Sequence, residues 1–547
     1  MRRATLYASL LAAVLAGAGW LAVDDDYFAL RKNFTLFARM YEELAAGYAD
    51  PVDAERLMRT GIDAMLASLD PYTVFLDEGE TEDMEIMTRG HYGGVGIAVG
   101  RRAGRLVVTA VLDGSAAAEQ GLRPGDVIAR VEGRDAGALE PADLRSLLRG
   151  SPGTTLAIEV EREGEPGTLR FALARRDVRV HDVTYAGLVG SSGRVGYIRL
   201  ERFSEQAAPE LRQAVDRLSA EAGAQGLTGI VLDLRGNPGG LLDAAVDVTG
   251  LFVPRNTHVV STRGRAAETE RAYRSRVEPV GNVPVAVLID RRSASASEIV
   301  AGALQDHDRA VIVGERSFGK GLVQTIRPLP YHTALKLTTS RYYIPSGRSI
   351  QAVVYAAAGA PTEVPDSLRR SYRTAAGRTV RDGAGIEPDI TASLGPEGEL
   401  EAALDRAAAF FLFANAYAAR HPQLPDGFAV DEGLLAEFRS WVQAQGSVSY
   451  RTRAERMLDE LAADLDGAEY RATADEVAAL RAEVDREKAG DFRRHEARLR
   501  VRLRDEILSR YVGRAEAVRA ALASDPQLDA ALEVLAEPAR YRRTLGG

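Results

Sequence analysis

Three times between residues 229 and 321 a short, nearly all-apolar run ends in a turn rich in glycine or serine. Gly229-Ile230-Val231-Leu232-Asp233-Leu234 leads into Arg235-Gly236-Asn237-Pro238-Gly239-Gly240 and a helical stretch from Leu241. Val285 to Ile289 leads into Ser293-Ala294-Ser295-Ala296-Ser297-Glu298 and a helical stretch from Ile299, and Ala310 to Val313 leads into Gly314 to Gly321. Apolar runs of four to six residues without polar alternation need cover on both faces, which a largely parallel sheet flanked by helices supplies. The pattern predicts an α/β core between about 177 and 395.

At 547 residues the chain is too long for one core. Residues 24–90 carry apolar positions at helical spacing, among them Leu57, Ile62, Met65, Leu66 and Leu69, with Asp70-Pro71 as a stop. From His91 the period changes to two, and residues 91–176 read as a compact β-rich α+β unit. Residues 335 to 344 alternate like a half-exposed strand. Leu394-Gly395-Pro396-Glu397-Gly398 marks a further boundary, and 396–547 read as an all-helical extension, with Leu499, Leu503 and Ile507 on one apolar face. That tail shows no chemistry of its own. A packing role, oligomerisation and adaptor docking all stay open for it.

Arg2 and Arg3, an apolar run from Leu6 to Val23 and then Asp24-Asp25-Asp26 read as an export signal. Ala16-Gly17-Ala18 offers a small-x-small cleavage site, but the run is also nearly long enough to span a bilayer. Residues 1–23 are therefore expected to be either a cleaved signal or an anchor at the inner membrane, placing the protein in the periplasm or cell envelope.

A net charge of −9 argues against a general nucleic-acid binder. Cysteine is absent, which removes disulfides, thiolate catalysis and cysteine metal sites. The seven histidines form no H-E-x-x-H pair, so no metal and no cofactor are expected. Only four of the 69 basic residues are lysine: Lys32, Lys320, Lys336 and Lys488. A lysine kept in a glycine-rich turn invites a role that arginine cannot fill, since lysine loses its proton readily when buried.

Lys320 lies in Gly314-Glu315-Arg316-Ser317-Phe318-Gly319-Lys320-Gly321, close to the phosphate-binding pattern G-x-x-x-x-G-K-[ST]. Gly321 stands where that loop needs a hydroxyl, and Leu322 to Ile326 is β-like rather than helical. The other use of this lysine is as a general base. Gln324, four residues on, falls on the same face and is a candidate to hold the amine. Ser295 matches the capping box S-x-x-E with Glu298, so a plain helix N-cap is one reading. A nucleophile is the other, because a helix N-terminus stabilises developing negative charge and the Ala296 N–H is a candidate oxyanion donor. Asn237-Pro238-Gly239-Gly240 is either a tight turn or the source of a second donor, from Gly239 or Gly240.

Together these segments resemble the C-terminal processing peptidases, or tail-specific proteases, of the S41 type. Tyr343-Ile344-Pro345-Ser346-Gly347-Arg348-Ser349-Ile350-Gln351 and Gly385-Ile386-Glu387-Pro388-Asp389 belong to the resemblance, which covers about residues 30 to 395. It implies a serine endopeptidase that cuts protein substrates near their C-termini, with Ser295 as nucleophile, Lys320 as base and Gln324 supporting Lys320. Ser297 and Glu298 are implied as supporting neighbours. It also implies that 91–176 is a PDZ domain, with Gly93, Gly94, Val95, Gly96 and Ile97 receiving an apolar substrate C-terminus. The alternative is a PDZ-bearing scaffold or adaptor with an inactive peptidase-like core; the presence of Ser295, Lys320 and Gln324 favours the enzyme.

Overall fold

The computed structural model of the chain describes residues 28–139, 141–355, 361–395, 397–425, 427–446, 448–467 and 473–547. The export segment expected at 1–23 lies outside them. Among the described residues no helix is long and apolar enough to cross a membrane. The chain forms two compact units.

The smaller unit contains the residues up to Leu76 together with 326–338 and Tyr355. A helix over 28–47 precedes the helix Ala54–Ala67, whose N-cap Asp53 accepts from the Arg56 N–H at 3.0 Å. The stop expected at Asp70-Pro71 is a side-chain turn: Asp70 accepts the N–H groups of Tyr72 and Thr73, each at 2.8 Å. The short strand Val74–Leu76 then pairs antiparallel with Ala334, Leu335 and Lys336.

In the larger unit a β-rich module follows the helix Glu78–Arg89. Its antiparallel strands run in the order Ile97–Arg102, Arg105–Val111, Val127–Val131, Thr155–Glu161 and Thr168–Ala174, with Arg134–Asp135 set beside the third. They enclose a core that includes Val108, Val131, Leu156 and Leu173. His91–Gly94 pairs with Arg176–Arg179, so the module reaches Arg179 rather than 176. Ile97–Arg102 is left as an edge strand.

The α/β core is a six-stranded sheet in the order Val183–Val189, Val195–Leu200, Gly229–Asp233, Val285–Ile289, Val311–Gly314 and Ile390–Thr391. Only the first pair is antiparallel. The missing polar alternation has a direct cause. Ile230, Leu232, Val285 and Val287 pack among the helices Ala207–Glu221, Leu242–Gly250 and Ala296–Asp306. Val231, Ala286, Leu288, Val311 and Val313 face the other way and pack against Val518, Leu528, Ala531, Val534 and Tyr541.

The second face of the sheet is therefore covered by the end of the helical extension. Tyr541 fixes that cover: its hydroxyl accepts from the Val285 N–H at 3.0 Å and lies 3.1 Å from the carbonyls of Val285 and Arg309. The earlier helices of the extension have a core of their own, in which Leu499, Leu503 and Ile507 are fully buried as their spacing predicts. Phe411 and Ala408 on these helices pack against Val107 of the β-rich module.

Because Leu528 is 2% exposed against the sheet, Leu528→Ala is expected to destabilise the chain by about 2–5 kcal/mol. The loss should register in the unfolding transition of the α/β core, read by urea denaturation. A core transition at the wild-type midpoint would show that the tail folds apart from it.

Candidate active site

Ser295 stands where the strand Val285–Ile289 has turned into the helix Ala296–Asp306, and its backbone is unusual. An ordinary N-cap residue is extended; Ser295 has φ 56° and ψ −112°. A non-glycine residue holds such a conformation only where its surroundings over-determine it, at a cost of about 1–3 kcal/mol. Here they do. The Ala294 N–H and the Ser297 hydroxyl both donate to the Asn237 carbonyl, at 3.0 and 2.9 Å. Ser293 donates to the Leu234 carbonyl at 2.8 Å. Asp290 accepts from Ser293 N–H at 3.0 Å and from Gly236 N–H at 2.9 Å, so the Ser295 turn and the Gly236 turn are tied edge to edge.

Glu298, one turn into the helix, is fully buried. Its carboxylate accepts four hydrogen bonds. One oxygen takes the Ser317 hydroxyl at 2.5 Å and the Gly319 N–H at 2.6 Å. The other takes the N–H of Ser295 at 2.8 Å and that of Lys320 at 2.9 Å. Two backbone amides that share one acceptor atom are necessarily close neighbours, so this carboxylate ties the turn carrying Ser295 to the loop carrying Lys320, beside a backbone bond from the Phe318 N–H to the Ser293 carbonyl at 3.0 Å.

The Lys320 loop is locked from its other side as well. The Tyr342 hydroxyl donates to the Lys320 carbonyl, and Gln351 Oε1 accepts from the Gly321 N–H at 2.7 Å. Gly319 has φ 89°, and a Cβ there would lie 2.3 Å from that of Ala352. The next element is the strand Leu322–Pro328, not a helix, so the loop lacks the helix N-terminus that a phosphate-binding loop supplies. Lys320 and Gln324, which both lie at or beside this strand, are half-buried.

On the other flank, Asn237 is fully buried and shapes the glycine turn. Its side chain donates to the Leu200 carbonyl at 2.8 Å and accepts the Gly239 N–H at 2.9 Å. Of the two glycines expected to offer a donor, Gly239 thus has its N–H engaged. Its contribution is clearance instead: at φ 102°, a Cβ on Gly239 would sit 2.9 Å from Ser295 Cβ and from the Ala296 nitrogen. The N–H groups of Gly240 and Ala296 are engaged by no protein acceptor among the described residues.

Motifs that the resemblance carried without a role turn out to be braces. Arg348, 1% exposed, pairs with Asp306 at 2.9 Å at the C-terminal end of the Ser295 helix, where a cation opposes the helix dipole. Asp389 accepts from the Ile312 N–H and from Gln305. Ser317, which grips Glu298, also accepts from the Ile386 N–H at 2.7 Å. Sequence reasoning did not single out Ser317, Gln351, Asp290 or the Asn237 side chain. Only Asp290 carried a local signal, an Asp three residues before a Ser at a turn.

Gly93, Gly94, Val95, Gly96 and Ile97 lie apart in the chain, at the entrance to the edge strand Ile97–Arg102 of the β-rich module. Gly96 has φ 80° and packs so tightly on Ser115 that a Cβ would come within 2.2 Å of it. No cluster of residues able to hold a metal ion occurs among the described residues.

Burial pushes the Glu298 carboxyl up to about 7, above its ordinary 4.5, against the pull of the Ser317 hydroxyl and the N–H groups of Lys320, Gly319 and Ser295. A carboxyl raised in the folded state binds its proton more tightly there. Its contribution to stability is fully present below about 4.5 and is lost as the pH rises through about 7. From this group alone the free energy of unfolding is expected to fall by about 3 kcal/mol over that window. Glu298→Gln should flatten the decline, measured by urea unfolding at pH 5, 6, 7 and 8; an unchanged slope would place the titration elsewhere.

Comparison with known proteins agrees with this architecture. Residues 194–356 match the model of peptidase family S41, residues 107–162 a PDZ domain, and residues 400–535 the C-terminal helical domain described for probable PDZ-proteases. A carboxy-terminal-processing protease of Bartonella bacilliformis is 38% identical over 59% of this chain and 73% of its own length. A carboxyl-terminal-processing protease of Synechocystis is 36% identical over 53% of this chain and 68% of its own. The solved photosystem II D1 C-terminal processing protease shares 28% identity, over 66% of this chain and 92% of the other, at a TM-score of 0.36. With its S41 core, its PDZ module and relatives of this closeness, the chain belongs to peptidase family S41, among the carboxy-terminal-processing proteases.

Proposed function

We propose that the chain is an exported serine endopeptidase that cuts protein substrates near their C-termini by a Ser295–Lys320 pair. The observation that carries this reading is the Glu298 carboxylate, one oxygen of which holds the amides of both residues. Ser295 is at once strained, half-buried and set at a helix N-terminus, a combination that a mere helix cap does not require.

In the proposed reaction the neutral Lys320 amine takes the proton of the Ser295 hydroxyl as its oxygen attacks the scissile carbonyl. The N–H groups of Gly240 and Ala296 receive the negative oxygen of the tetrahedral intermediate. Collapse breaks the C–N bond, Lys320 passes its proton to the leaving amine, and an acyl-enzyme remains on Ser295. Water then attacks that ester, with Lys320 again accepting a proton; the bond from the carbonyl carbon to Ser295 Oγ breaks, Lys320 returns the proton to that oxygen, and the acid product departs. Gln324 orients the Lys320 amine. Lysine suits the task because its amine can act in the neutral form, whereas arginine stays charged.

Substrate capture falls to the PDZ module. Residues 93–97 supply backbone N–H groups for an apolar C-terminus, and the open edge of Ile97–Arg102 lets the peptide add as a further strand. Export is proposed from Arg2, Arg3 and the apolar run that follows.

Incubation of the purified chain at neutral pH with a peptide ending in Val or Ala, read by mass spectrometry, should yield defined fragments. Ser295→Ala and Lys320→Arg are each expected to lower kcat by at least about 10³-fold with the fold intact. Turnover retained in Lys320→Arg would end the reading. Gly239→Ala, which drives a Cβ into backbone atoms of residues 294 and 296, is expected to cost about 10²-fold in kcat while peptide binding to the PDZ module persists. Wild-type activity in that variant would remove the glycine turn from the site.

A further inference from the structure

The glycine turn beside Ser295 is anchored at its first residue, Arg235, and half of that anchor comes from the far end of the chain. Arg235 N–H and Nε both donate to Asp233 Oδ1 at 2.9 Å, and Nη2 reaches Asp233 Oδ2 at 2.7 Å. The opposite edge of the guanidinium meets Asp525: Nη1 to Oδ1 at 2.9 Å and Nη2 to Oδ2 at 2.6 Å. Nη1 also donates to Gln527 Oε1 at 2.9 Å. A guanidinium has five N–H donors in a rigid fork, and this one is filled from both sides.

Asp525 is held in turn. It caps the helix Pro526–Ala536, accepting from the N–H groups of Gln527 and Leu528 at 3.0 and 3.1 Å. That helix lies on the second face of the catalytic sheet. Gln527 Nε2 donates to the Ala392 carbonyl at 2.8 Å, next to the last strand of the same sheet. The clasp therefore joins the helical extension to the residue from which the turn 235–240 departs. Asp290 grips the next residue through the Gly236 N–H, and at its end the turn brings Gly239 against Ser295.

We infer that Asp525, in the C-terminal helical extension, is a positioning residue for the oxyanion turn, acting through Arg235, so that the extension is part of the active site in cis. This rests on the peptidase reading above. Asp525 touches no reacting atom. Its bidentate pair fixes the plane of the Arg235 guanidinium, and Arg235 sets the path of the backbone that delivers the Gly240 N–H.

The test uses the full-length chain and Asp525→Asn, which keeps a good N-cap residue but removes the charge that grips Arg235. Turnover of the Val- or Ala-ending peptide is normalised to the sites titrated by a fluorophosphonate at Ser295. Expected are a fall in kcat of about 10-fold, smaller than the loss of an oxyanion donor itself, and a KM within about twofold. Affinity for a peptide aldehyde, whose adduct mimics the tetrahedral intermediate, should weaken by a factor similar to that in kcat. Asp525→Glu should recover part of the loss, and Arg235→Ala/Asp525→Ala should be no worse than Arg235→Ala alone. Wild-type kcat per titrated site in Asp525→Asn, or a loss confined to the number of titratable sites, would overturn the inference and leave the peptidase reading standing. A wild-type chain that cleaves nothing would sink that reading, and this inference with it.

Discussion

The Glu298 carboxylate accepts from Ser295, Ser317, Gly319 and Lys320 in a fully buried position. A buried carboxylate is costly unless its acceptor sites are filled, and here each oxygen has two donors. The consequence is geometric. Three of those donors come from the Lys320 loop, so this carboxylate, together with the bond from the Phe318 N–H to the Ser293 carbonyl, fixes that loop against the start of the Ser295 helix. The positive φ at Ser295 becomes tolerable for the same reason: the strained amide is one of the four groups held.

Around that point the site is assembled from ends of separate elements. Asn237 holds the glycine turn, Asp290 joins it to the serine turn, and Arg348 with Asp306 braces the Ser295 helix from behind. Each turn is short and has only one or two internal backbone hydrogen bonds, such as Asn237 N–H to the Leu234 carbonyl and Ser293 N–H to the Asp290 carbonyl, so its shape also depends on side chains arriving from elsewhere. The placement of all three turns at the C-terminal ends of parallel strands is the usual position for chemistry in an open α/β sheet.

The helical extension has two parts with different physical roles. Its first helices make an independent core around Phe413, Phe438 and Leu503 and contact the PDZ module through Phe411 and through Asn415, which donates to the Gly125 carbonyl at 3.1 Å. Its last helices have no such independence, because their apolar residues share a core with Val231, Ala286 and Leu288. Without them an apolar sheet face would be open to water, and Arg235 would lose one side of its clasp.

Residue order by itself determined the largely parallel core and the three turns, and made Ser295 and Lys320 candidates, while their reading as a catalytic pair came from the resemblance to the C-terminal processing peptidases. These are local signals: apolar runs, glycine at bends, a capping pattern and a rare lysine in a loop that lacks the phosphate-binding hydroxyl. The buried face of Leu499, Leu503 and Ile507 was legible for the same reason, since helical period is written in near neighbours. Tertiary structure alone decided which donor groups are engaged, as with the Gly239 N–H on Asn237. It also decided that Asp525 meets Arg235 across 290 positions of sequence and that the tail closes the sheet. Such contacts leave no periodicity behind, because a hydrogen bond between distant residues depends on where the packed core brings them, not on their spacing along the chain.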